Sequence, residues 1–140
     1  MQEPILKSSV EATAEQILRD LRNSRNHIKS LSDAIAETEY EAAGVMDQLN
    51  LAKAQAFVKA ATEVSKVTGK LINPNLDSQK AASEIMLRDV EGYEAALDAH
   101  RDMLKVVQKM KNEIVCEHER RGDLKTRVEL LKLLSTEDQS

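Results

Sequence analysis

Aromatic residues, glycine, proline and cysteine are all scarce in this 140-residue chain. It has no tryptophan, and Tyr40, Phe57 and Tyr93 are its only aromatic residues. Four glycines and two prolines leave few places to turn, so a sandwich or barrel of many short strands is excluded. One cysteine, Cys116, cannot form an internal disulfide framework and fits a reducing compartment. The longest uncharged run, Leu71 to Leu76, is far shorter than the roughly 20 residues that span a bilayer. The opening MQEPILKSSV lacks the charged-then-apolar pattern of a secretory signal, so no membrane partner and a cytoplasmic location are expected. A glycine-rich phosphate loop, an HExxH pair and a G-x-S-x-G elbow are also missing. No catalytic residue, cofactor, small-molecule substrate or metal is therefore expected, and the chain reads as a non-enzyme.

What is present is charge in helical rhythm. The chain is 31% charged and 41% hydrophobic, with sixteen alanines. Apolar positions recur at alternating three- and four-residue steps through Val10, Ala14, Ile17, Leu21, Ser24, Ile28, Leu31, Ile35, Thr38, Ala42, Val45, Leu49, Ala52 and Ala56, and none of these is charged. A sustained repeat of this kind keeps one stripe facing a partner and supercoils left-handedly. Ala60, Val64, Val67 and Leu71 continue it after a stutter.

Ser8 and Glu11 fit a capping box, which predicts a first helix from about residue 9 to about residue 68. Asn23-Ser24-Arg25-Asn26 and Gly44 are its weak points, because short polar side chains compete for the backbone and glycine costs about 1 kcal/mol in a helix interior. Gly69 to Asp77 predicts a turn, with Gly69 ending the helix and Asp77 or Ser78 capping the next. A second helix, about 78–120, carries Met86, Val90, Tyr93, Leu97, His100, Leu104, Val107 and Ile114 on one stripe. It is expected to weaken at Arg120-Arg121-Gly122-Asp123, before a short helix at about 123–134.

The fold class read from this pattern is all-α: a single helical domain built as a long antiparallel, coiled-coil-like hairpin with a short C-terminal helix. A turn near Asn75 makes facing residue numbers total roughly 150, which sets Lys53, Lys59, Lys66 and Lys70 opposite Glu84, Asp89, Glu91 and Glu94. Such pairs are worth about 0–1 kcal/mol each, enough to bias register. A lone hairpin rich in alanine should be marginal, so the chain is expected to be a homo-oligomer. The proposed seam is Ile17, Leu21, Ile28, Leu31, Ile35, Val45 and Leu49. The competing arrangement is a monomeric bundle folded at Asn23 or Gly44.

Three histidines and the cysteine give little metal chemistry. Cys116 and His118 are two apart, a spacing that splays side chains on a helix, and His27 is the nearest third candidate. Cys116 reads as a buried small hydrophobe and His100 as a packed polar residue.

The place where the expected register sets like charge against like is the open end of the hairpin. Arg19, Arg22, Arg25 and Lys29 cluster on the first helix, and the expected register places Arg120, Arg121, Lys125, Arg127 and Lys132 beside them. Like charge facing like charge is relieved by an anion, an acidic partner or distance, and the alternative is a solvated helix face with Asp20, Asp123 and Glu129 as local acids. The chemistry of the basic cluster suits single-stranded DNA or an acidic protein, by contact with phosphates rather than stacking, since no aromatic platform accompanies it.

The second half also carries QKAASEIMLRDVEGYEAAL, then DMLKVVQKMKNEI, then RRGDLKTRVEL. In these stretches it resembles the phage recombination mediators of the UvsY type. That resemblance implies a ring-forming, non-enzymatic nucleic-acid accessory factor that binds single-stranded DNA and helps load a recombinase. Arg120, Arg121, Lys125 and Arg127 would then touch DNA. The resemblance covers less than half of the chain and leaves the long first-helix repeat unmatched. Two functions follow: a self-associating adaptor or scaffold, and such an accessory factor.

Overall fold

The computed structural model describes the backbone of residues 3–137 and side chains from 9 to 136. The protein is all-helical, with α1 (Glu3–Thr62), α2 (Leu76–Arg88) and α3 (Tyr93–Glu137). No strand occurs among the described residues, only an isolated antiparallel bridge between Val64 and Leu71. Where length alone suggests one domain, the chain divides into two compact units. Unit 1 is Met1–Ala36 with Gln108–Ser140, and unit 2 is Glu37–Val107.

In unit 1, α1 and α3 lie side by side and run antiparallel. Arg121 Nη1 donates to the Leu21 carbonyl at 2.6 Å, Ser24 Oγ to Glu117 Oε2 at 2.6 Å, and His27 Nε2 lies 3.3 Å from Glu113 Oε1. Facing residue numbers thus total 140 to 142 rather than 150. The three-four stripe of α1 from Val10 to Ile35 is buried or half-buried throughout. Its counterpart on α3 is Met110, Ile114, Glu117, Arg121, Leu124, Val128, Leu131 and Ser135, again in steps of three and four. Two of these eight are charged, and both have hydrogen-bonded partners on α1.

Both helices of unit 1 run through the places where local propensity is poor. Ser24 is 2% exposed and sits in the seam, so its hydroxyl bonds across to Glu117 instead of competing for its own backbone. The expected interruption at Arg120–Asp123 is absent, and with it the separate short C-terminal helix: Arg121 is tied to Leu21, Leu124 is buried, and Gly122 stays helical between them. At the other end α1 already begins at Glu3, so Ser8 lies inside the helix and does not start it; its side chain lies outside the described ones.

Unit 2 contains the reversal. α1 passes through Gly44 unbroken and stops at Thr62, not 68. The monomeric bundle folded at Asn23 or Gly44 is thereby excluded. The chain turns within Ser65–Lys70: Ser65 N–H donates to the Lys70 carbonyl at 2.8 Å, Gly69 N–H to the Ser65 carbonyl at 2.9 Å, and Ile72 N–H to the Glu63 carbonyl at 3.0 Å. Gly69 has φ +68 and serves this turn rather than a helix end. A reversal several residues before Asn75 lowers the numbers that face each other, consistent with the register of unit 1.

Val64, Val67 and Leu71 consequently leave the helical stripe and are exposed. Asn73 Nδ2 donates to the Ala60 carbonyl at 3.1 Å, satisfying an orphan acceptor at the end of α1. The N-cap of α2 is Asn75, in a reciprocal capping box with Ser78, where the sequence suggests Asp77 or Ser78.

The predicted second helix is interrupted at Asp89–Gly92, where Gly92 has φ +79. The buried residues of α2 are Ser83 and Leu87, so the Met86–Val90–Tyr93 stripe is out of phase there and Val90 is exposed. On α1, Ala42, Leu49, Ala56 and Ala60 form the buried side of the unit.

Candidate interaction surface

Packing decides first what is no longer available. Ile17, Leu31 and Leu49 are buried, and Leu21, Ile28, Ile35 and Val45 are half-buried, with a single chain present. The helices of the chain itself bury Ile17, Leu31 and Leu49, while Leu21, Ile28, Ile35 and Val45 keep part of their surface. Charge in unit 1 is also better compensated than the expected register allowed. Opposite Arg19–Lys29 stand Glu113, Glu117 and Glu119 as well as Arg120 and Arg121.

Two grooves flank the seam of unit 1 and fix its edges. One, of about 620 Å³, is lined by Thr13, Gln16, Ile17, Asp20, Arg127 and Leu130 among others. The other, of about 380 Å³, is lined by Glu11, Ala14, Leu18, Val128, Leu131 and Lys132 among others. Residues seven apart on a helix fall almost on one line. Along the second edge Leu18 is therefore followed by Arg25 on α1, and Lys132 by Lys125, His118 and Lys111 on α3. Arg22 and Lys29, three before and four after Arg25, stand beside it.

The nine cations singled out in the sequence are thereby sorted. All nine lie in unit 1. Arg121 is half-buried and committed to the Leu21 carbonyl, so it is a seam residue and not part of a free surface. Arg120 is 3.7 Å from Glu117 Oε1, and Arg127 lies with Asp20 along the first groove. Arg19 Nη2 donates to Gln16 Oε1 at 2.8 Å, and Lys132 is 3.7 Å from Glu129 Oε1. Arg22, Arg25, Lys29 and Lys125 remain, exposed and without an ion-pair partner among the described residues. Grouping cations by local density passed over Lys111 and His118. Phase relative to the seam is the signal that finds them.

The remaining chemistry is sparse. Cys116 is exposed, which corrects its reading as a buried residue. His27 pairs with Glu113, and no group of three or more His, Cys, Asp or Glu able to hold a metal occurs among the described residues. No described helix is long and apolar enough to cross a membrane.

The apolar surface is more telling. Nine hydrophobic residues are buried, three of them alanine, whereas seventeen large hydrophobic residues are exposed among the described residues. In unit 1 these include Leu18, Val115, Leu130, Leu133 and Leu134; in unit 2 they include Tyr40, Leu51, Val58, Ile72 and Ile85. No protein-family model, curated protein or solved structure matches the chain.

Proposed function

We propose that this chain is a non-enzymatic helical-hairpin adaptor or scaffold, working in the cytoplasm, that associates with copies of itself through its solvent-facing surface. One observation carries the reading: large apolar side chains outside outnumber those inside, on helices whose own seam is already filled. Exposed large apolar side chains are available to an association surface, where each gains roughly 1.5–3 kcal/mol when fully covered. The charged residues that line the seam bias its register. Light scattering on the eluting protein tests the reading. A mass that is a multiple of 15.6 kDa supports it, and a monomer at every concentration overturns it.

The second reading, a phage-type accessory factor that grips single-stranded DNA, is favoured by Arg22, Arg25, Lys29 and Lys125, which stand along one edge of unit 1 with no ion-pair partner among the described residues. Retention of a labelled oligonucleotide at low salt, lost steeply as salt rises, supports it. No retention at low ionic strength removes it.

A further inference from the structure

The two units differ in charge. Unit 1 carries twelve basic and twelve acidic residues, whereas unit 2 carries eight basic and twelve acidic, and so all of the net charge of −4. Within unit 2, Glu37, Glu39, Glu41 and Asp47 follow one another on α1 with no basic residue between them. Tyr40 stands in this stretch, 83% exposed, in a chain with only three aromatic residues.

The helical neighbours of Tyr40 include Glu37 one turn before it and Ala43 and Gly44 one turn after, with Asp47 a further turn along. The glycine has no role within the chain: it is helical, exposed, and a Cβ added there would meet nothing within 4 Å. A large aromatic ring beside small residues, rimmed by carboxylates, is open to close approach by a cationic side chain. Arginine stacks on such a ring while its fork engages a carboxylate.

We propose that Tyr40 and its carboxylate rim in one copy dock onto the Arg22–Arg25–Lys29–Lys125 edge of a second copy. This rests on the self-association put forward above and names its surface. The basic edge has the unpaired cations and the apolar flank of Leu18 and Val115; the acidic face has the aromatic anchor and the access. Every copy carries both surfaces, so each can offer either half of the contact. The same cations would meet a phosphate strand in the accessory-factor reading, but only self-pairing also uses Tyr40, Gly44 and the negative charge of unit 2.

Charge reversal on each side, followed by mixing, tests the proposal by sedimentation at about 50 mM salt, where screening is weak. One variant carries Arg22→Glu, Arg25→Glu and Lys125→Glu; the other carries Glu37→Lys and Asp47→Lys. All these positions are exposed, and far-UV circular dichroism verifies that each variant stays helical. Each alone should associate about 100-fold more weakly or worse, because like charges then meet. An equimolar mixture should regain a dimer mass. Tyr40→Ala and Gly44→Leu, which change no charge, should each weaken wild-type association.

Variants that associate like wild type, or a mixture of folded variants that stays monomeric, overturn this interface while leaving self-association by another surface standing. A wild-type monomer at low salt overturns both. A wild-type monomer that binds a labelled single-stranded oligonucleotide assigns the basic edge to phosphate instead.

Discussion

The two units treat the same local weakness in opposite ways. Gly122 in unit 1 remains helical, whereas Gly92 in unit 2 adopts φ +79 and breaks the helix. Intrinsic propensity is equal at the two sites, so their surroundings decide. Around Gly122 the helix is held by Arg121 on the Leu21 carbonyl and by buried Leu124, one residue before and two after. Around Gly92 the nearest fixed point is Leu87, out of phase with the α3 stripe that begins at Tyr93. A break there lets both helices present their apolar faces. Unit 1 is thus tied by polar cross-links within its seam, and unit 2 by alanine packing and capped turns.

Substitutions should separate the two units. The largest effects belong to the apolar seam: Leu49→Ala in unit 2 and Leu31→Ala in unit 1 should each cost about 2–5 kcal/mol in chemical denaturation. Because one chain covers these residues, the loss should not depend on protein concentration, and a concentration-dependent loss would return them to an intermolecular seam. Next comes the polar layer of unit 1. Glu117→Ala leaves the Ser24 hydroxyl buried without its acceptor and should cost about 1–3 kcal/mol, whereas Ser24→Ala combined with Glu117→Leu should be close to neutral.

Asn75→Ala removes the cap of α2 and should cost about 1 kcal/mol. Smallest, and most direct for the contrast, are the glycines. Gly122→Ala should stabilise by about 0.5–1 kcal/mol, while Gly92→Ala should destabilise by a similar amount, because only the second site needs positive φ. Equal effects of one sign at both glycines would show that their surroundings do not separate them.

Much of the architecture is legible in the amino-acid order. The three-four stripe from Val10 to Ala56 is the buried side of α1 at every position, including Ser24 and Thr38. The reversal is legible only in outline, since Pro74 and Asn75 draw the eye to the start of α2 while Ser65 and Gly69 make the turn. The register differs accordingly, which changes which cations meet which acids. Arg121 is the clearest case: as the second of two consecutive arginines it looks like surface, and only the phase of α3 places it in the seam. The basic edge could have been found from spacing once that phase was known, because Lys111, His118, Lys125 and Lys132 repeat every seven residues. The outward Tyr40 is not legible at all, for nothing in the periodicity says that a tyrosine off the stripe is left uncovered.

Mass in solution at low ionic strength tests the central claim most directly. Self-association gives at least twice 15.6 kDa for the wild-type chain, with the helices intact. A mass of 15.6 kDa at every concentration examined by light scattering would contradict it.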